Sequence, residues 1–139
     1  MCVMFVILTV QRGPTLIVSP SKQTPVVGEA NIVRYLARLL TPRYDSDIVT
    51  ATQIDSVLDH AAILLHDADT VGPVKSLGQL LGRKKWFVGN DRPSVADVVM
   101  WSALKQRRLA MSAPDNVCQW IARCDLLPEF AKADRLLAA

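Results

Sequence analysis

The chain has 139 residues, 16 Lys or Arg against 13 Asp or Glu, and a hydrophobic share of 50%, which fits a single compact chain and excludes an intrinsically disordered one. A net charge of +3 with 6% aromatic residues argues against direct nucleic-acid binding of the kind that clusters Lys and Arg on one face. The charge is uneven, −2 over residues 1–70 and +5 over residues 71–139.

Cys2, Cys118 and Cys124 form neither an even secreted framework nor a zinc-ligand spacing, so they read as free thiols in a reducing, cytoplasmic setting. A chain of this length buries enough surface to fold without a metal or cofactor. The opening run Met1 to Val10 lacks a basic residue ahead of its apolar stretch and falls short of a membrane span. Its Val, Ile, Phe and Thr content predicts a buried strand, followed by a turn at Arg12-Gly13-Pro14. A second run, residues 15–19, completes a hairpin.

After Pro25 the period becomes helical. Between Glu29 and Leu40, Ile32, Val33, Leu36, Leu39 and Leu40 make a core-facing stripe, and Asn31, Arg34, Tyr35 and Arg38 make the opposite one. Thr41-Pro42 stops this helix. A longer helix starts at Ser46 or Asp47 and runs to about residue 70, with Ile54, Val57, Leu58, Ala61, Leu64, Leu65 and Ala68 inward. Gly72-Pro73 is expected to break the chain before a short helix over 74–81 that ends at Gly82.

Trp86 to Pro93 is turn-rich, and Ser94-Val95-Ala96-Asp97 then places a hydroxyl and a carboxylate three residues apart. That spacing predicts a capping box of Ser94 and Asp97. The helix behind it is apolar nearly all round, as befits one passing through the middle of a bundle. Two more helices follow: residues 115–124, capped by Asp115 with Val117, Trp120 and Ile121 inward, and residues 127–137, with Phe130, Ala133 and Leu137 inward.

Two of these segments carry a resemblance. Pro25-Val26-Val27-Gly28-Glu29-Ala30-Asn31-Ile32-Val33-Arg34-Tyr35-Leu36 resembles the last strand and third helix of the glutathione-transferase fold. Val88-Gly89-Asn90 leading into Ser94-Val95-Ala96-Asp97 resembles its buried sixth helix with the family's capping box. Four stretches carry a closer resemblance over essentially the whole chain: Gly28 through Arg34, Ile54-Asp55-Ser56, Ala96 through Ser102, and Pro114-Asp115-Asn116-Val117 leading to Trp120. It is to the transferase-like domains of scaffold proteins in the cytoplasmic multi-aminoacyl-tRNA-synthetase complex.

The resemblance implies an α+β chain: a mostly helical transferase C-terminal-like bundle over residues 42–139, preceded over 1–41 by a remnant of the thioredoxin-like half, a short β-hairpin plus a helix. The first strand would be the family's third, so the chain reads as an N-terminally truncated member. On this reading the loop that carries the family's thiol-activating Tyr, Ser or Cys is absent. Ala30 stands where active members place a Ser that holds the glutamyl carboxylate of glutathione. Without those two groups, positioning and nucleophile activation are both lost, which implies a non-catalytic domain with no cofactor.

The implied role is assembly with other transferase-like domains, the expected partners being glutamyl-prolyl-tRNA synthetase and aspartyl-tRNA synthetase. The third-helix stripe Asn31, Arg34, Tyr35 and Arg38 offers an aromatic with two guanidiniums, residue types that dominate interfaces. On the seventh helix, Asn116, Gln119 and Arg123 are expected to face outward as a second surface. A solvated helix face is the plain alternative for each. Arg83-Lys84-Lys85 and Lys105-Gln106-Arg107-Arg108 have no interleaved aromatic platform for tRNA bases, so solvated charge explains them better. His60, His66, Asp55 and Asp59 read as ordinary polar surface. Two other classes stay open: a transferase with a degraded site, and a tRNA-associating module.

Overall fold

The computed structural model describes residues 6–10, 13–89 and 91–137. The expectations for residues 1–5, for Arg12 in the first turn and for Asn90 lie outside the described residues. The chain is α+β and mostly helical, and it divides into two compact units, Met1–Asp47 and Ile48–Ala139. The division falls six residues beyond Thr41, because Tyr44–Ser46 forms a 3-10 turn that packs on the helix before it.

The first unit is a small antiparallel sheet with one helix. Strands β1 (Val6–Val10), β2 (Gly13–Ile17) and β3 (Val26–Val27) lie in the order β1-β2-β3. Val6 pairs with Ile17 and Val10 with Gly13, while Leu16 pairs with Val26. The hairpin therefore gains a third strand, which a two-stranded ribbon needs for stability in water. Gly28 follows β3 at φ 92°, a left-handed conformation open to glycine at little cost. Its amide donates to the Pro14 carbonyl at 3.0 Å, fixing the point where helix α1 (Glu29–Leu40) begins.

Helix α1 covers β2 and β3 and buries Ile32 against a core that includes Leu16. Its apolar stripe does not bury throughout: Val33 and Leu36 are half-buried, and Leu39 and Leu40 are exposed. The cause is length. Twelve helical residues reach about 18 Å, whereas β3 has only two residues, so the last turn of α1 extends past the strand it covers.

Among the described residues the second unit contains five α-helices: α2 (Ile48–His66), α3 (Val71–Leu81), α4 (Val95–Gln106), α5 (Asp115–Asp125) and α6 (Pro128–Leu137). Helix α2 is long and apolar enough to cross a bilayer. Ala51, Ile54, Val57, Leu58, Ala61 and Leu64 are nevertheless buried inside this unit, and α2 packs along α4 as a core helix. It stops at His66, four residues earlier than the periodicity predicts. Asp67 accepts from the Asp69 amide at 3.3 Å, and Asp69 accepts from the Val71 amide at 3.0 Å. Such local side-chain bonds compete with the helix ladder, and Ala68 is left exposed outside it.

Pro73 does not break the chain. Helix α3 already starts at Val71, and Pro73 occupies its first turn, where an amide has no intrahelical acceptor to lose. Helix α4 is buried along Ala96, Asp97, Met100, Trp101, Ala103 and Leu104, but Val98 is 48% exposed, so one face leaves the core. The N-cap of α5 is Pro114, not Asp115, which sits in the first turn and complements the helix dipole instead. Phe87 packs edge-on against Trp120 at 4.8 Å, and Trp101 against Phe130 at 5.2 Å. Trp86, Phe87 and Val88 are all buried, so the approach to α4 is part of the core.

Candidate functional site

In the first unit, the polar stripe of α1 divides into two groups. Asn31 donates to the Val27 carbonyl at 3.0 Å and accepts from Arg34 at 3.1 Å. Tyr35 is half-buried beside them. Arg38 turns away toward the 3-10 turn: its Nε lies 3.1 and 3.0 Å from the two Asp45 carboxylate oxygens, and its guanidinium covers the Tyr44 ring at 4.7 Å. The sequence places Arg38 on the outer stripe, and the structure gives it a second job, holding residues 44–46 against α1. Asp45, seven residues away, is the acceptor that helical spacing does not reveal.

In the second unit the capping box forms as expected. Asp97 Oδ2 accepts from the Ser94 amide at 2.9 Å and from the Ser94 hydroxyl at 3.0 Å. Its other oxygen accepts from the Phe87 amide at 2.9 Å and from the Trp120 indole N–H at 3.0 Å. Asp97 is fully buried, and its four donors come from the 86–94 approach and from α5. A buried carboxylate is tolerated only when its acceptor sites are filled in this way. Its role is to fasten α4, α5 and the loop together.

The surface of α5 differs from the expectation. Asn116 does not project outward: its amide nitrogen donates to the Gly78 carbonyl at 2.8 Å and the Gly82 carbonyl at 3.0 Å, closing the C-terminus of α3. The last carbonyls of a helix lack intrahelical donors; Asn116 supplies one to Gly82 and adds a second to Gly78, which also accepts from the Gly82 amide at 3.0 Å. Gly78 permits the approach, since a Cβ there would meet Pro114 Cγ at 3.0 Å and Asn116 Oδ1 at 3.3 Å. Arg123 donates to the Lys85 carbonyl at 2.7 Å and lies 5.8 Å from the Trp86 ring centre. Gln119 alone of these three is fully exposed. Asn116 and Arg123 therefore act first on the fold.

Members of both basic runs are also engaged. Lys84 donates to the Phe87 carbonyl, Arg107 to the Asp67 carbonyl, and Lys105 pairs with Asp125 at 3.2 Å and Asp134 at 3.4 Å. Trp101 donates to the other Asp125 oxygen at 2.8 Å, so one carboxylate joins α4 to α5. Cys118 is exposed and Cys124 buried, both free. Burial, reinforced by the Asp97 and Asp125 carboxylates, pushes the Cys124 thiol up to about 12. Among the described residues no group of three or more His, Cys, Asp or Glu is arranged to hold a metal. A cleft of about 330 Å³ opens between α4 and α6; no periodicity signals it, because α4 reads as apolar nearly all round and its exposed Val98 face is not set apart.

No family model matches the chain. Curated proteins do. Aminoacyl tRNA synthase complex-interacting multifunctional protein 2 of mouse is 38% identical over 117 residues, and the human protein of the same name is 36% identical over the same length. Over these residues the chain is homologous to those proteins. The match takes in 81% of this chain and 36% of each relative, so the chain spans well under half of the multifunctional proteins it matches. A Drosophila melanogaster protein named as a probable multifunctional protein 2 is 36% identical over 94 residues.

Proposed function

We propose that this chain is a non-catalytic assembly domain of the cytoplasmic multi-aminoacyl-tRNA-synthetase complex and so supports translation. The supporting observation is its homology to proteins whose name states interaction with that complex. The proposed partners are glutamyl-prolyl-tRNA synthetase, aspartyl-tRNA synthetase and other transferase-like domains. The proposed contact centres on Asn31, Arg34 and Tyr35 of α1, where an aromatic lies beside a guanidinium, with the exposed Gln119 of α5 as a second point.

Capture of purified glutamyl-prolyl- and aspartyl-tRNA synthetases by the immobilised chain tests this. Arg34→Glu with Tyr35→Ala is expected to abolish capture through α1 at a modest cost in melting temperature, with a wild-type circular-dichroism spectrum showing that the fold is kept. Indifference of the wild-type chain to both synthetases would refute the assembly role. Unchanged capture by the double variant would refute the α1 assignment.

One observation favours a second reading, a transferase with a degraded site: a Glu29 carboxylate oxygen, at the start of α1, is buried with no hydrogen-bond partner among the described residues. Ala30 beside it lacks the hydroxyl that the resemblance calls for. Retention on immobilised glutathione together with conjugation of a model electrophile would establish that reading instead.

A further inference from the structure

We infer that the cleft between α4 and α6 is a docking groove for an amphipathic helical segment of another protein, one that presents two large apolar side chains a turn apart and a Lys or Arg beyond them. The groove belongs wholly to the second unit and is separate from the α1 face assigned above. Trp101 and Phe130 form its floor, buried at 2% and 5% exposure. Val98 and Leu136 form its rims and are exposed at 48% and 75%. Ser102 and Ala133, both small, line the space between them.

Three features select this occupant. The first is shape. Glu129 and Leu136, seven residues apart on α6, set a length of about 10 Å, the distance over which a helix presents anchors at i, i+3 or i+4, and i+7. The second is volume: about 330 Å³ takes two large side chains but is at the lower limit for a drug-sized ligand.

The third is charge. Glu129 is the one ionised residue lining the groove, and no ion pair or hydrogen bond engages it among the described residues. At the far side, Lys105 is held between Asp125 and Asp134, so its ammonium is not free to meet a partner's carboxylate. The Trp101 indole N–H is likewise satisfied by Asp125, so the floor offers a partner only apolar contact. An incoming segment thus finds an apolar trough with an uncommitted carboxylate at the Glu129 end and no free cation at the other among the described residues, which favours a Lys or Arg beside Glu129 and disfavours an acidic residue.

Selection of phage-displayed random 16-residue peptides on the 139-residue chain tests the inference. Enriched sequences are expected to carry two large apolar residues three or four apart, with a Lys or Arg about one turn further on. Glu129→Lys should weaken the best peptide about tenfold and shift a new selection toward Asp or Glu at that position. Ala133→Trp, which fills the trough, should abolish binding. Leu136→Glu changes a rim residue that contributes little to the fold and should do the same if Ala133→Trp proves unstable.

Absence of enrichment, enrichment of acidic or non-periodic peptides, or binding that survives both Ala133→Trp and Leu136→Glu would overturn the groove. None of these outcomes depends on whether a synthetase binds α1. A small apolar amine such as 1-naphthylmethylamine that saturates the groove while no peptide is enriched would overturn the proposal in favour of a small-molecule site.

Discussion

Replacing Asp97 tests the internal logic of the helical unit. Asp97→Ala leaves the Phe87 amide and the Trp120 indole N–H without an acceptor, both in the core, and strands the Ser94 amide at half-buried depth. Each buried donor left unmade costs about 1–3 kcal/mol. The Ser94 amide regains water in part and so costs less. The expected loss is about 3–5 kcal/mol, a large fraction of the stability of a domain this size. Asp97→Asn keeps one acceptor oxygen but sets an NH2 group against existing donors, and should cost about 2–3 kcal/mol.

Urea denaturation followed by tryptophan fluorescence reads the effect as a shifted midpoint at unchanged slope. A double-mutant cycle sharpens it. Trp120→Phe removes one of the stranded donors, so it should be less costly in the Asp97→Ala background than in the wild type, with a coupling of about 1–2 kcal/mol. An Asp97→Ala loss below about 1 kcal/mol, or strict additivity with Trp120→Phe, would refute the idea that this carboxylate fastens α4 to α5 and the preceding loop.

Asn116→Ala should destabilise by about 0.5–1.5 kcal/mol in the same assay, since the Gly82 carbonyl loses its side-chain donor and the Gly78 carbonyl keeps only the Gly82 amide, whereas Gln119→Ala on the exposed face should stay within about 0.5 kcal/mol. Gly78→Ala gains about 1 kcal/mol in helix propensity but forces a contact with Pro114, an overpacking cost of about 1–3 kcal/mol; a net loss is expected, read as a lower melting temperature. In the native protein Ellman's reagent should modify Cys118 and leave Cys124 untouched until urea is added, which peptide mapping resolves.

The Cys124 thiol also predicts a pH dependence. Its folded value, about 12, lies above the ordinary 9.0, so its contribution is complete below pH 9. Between 9 and 12 the unfolded chain releases a proton that the folded chain keeps, and stability falls by about 1.4 kcal/mol per pH unit from this group. Cys124→Ala should flatten that alkaline decline in urea midpoints; an unchanged slope would refute the assignment.

Much of the fold is legible in the residues. Helix α1 matches its apolar spacing and its stop at Thr41-Pro42, and α4 begins at the Ser94 and Asp97 signature, because these signals are local. What escapes local reading depends on distance in the chain. The spacing of Asp97 announces a cap for Ser94, but nothing near it announces Phe87 and Trp120 as further donors. Asn116 reads as a surface polar residue until α3 is placed 34 to 38 residues upstream.

The misread boundaries are of another kind. Asp67 and Asp69 end α2 through side-chain bonds that hydrophobic periodicity ignores, and Pro73 is harmless in a first turn. In the candidate surfaces, residue type pointed to Arg38 and Arg123 as interface cations; geometry shows both holding neighbouring backbone or carboxylate.

Helix α5 is riveted near both ends, by Asn116 to α3 and by Arg123 to the carbonyl of Lys85. Persistence of these two side chains through a lineage would thus be no sign of a client protein, since architecture alone demands them. Any mapping of recognition on this helix has to separate a lost handshake from a tilted rod, and Gln119, whose side chain makes no hydrogen bond among the described residues, is the position where that separation is cleanest.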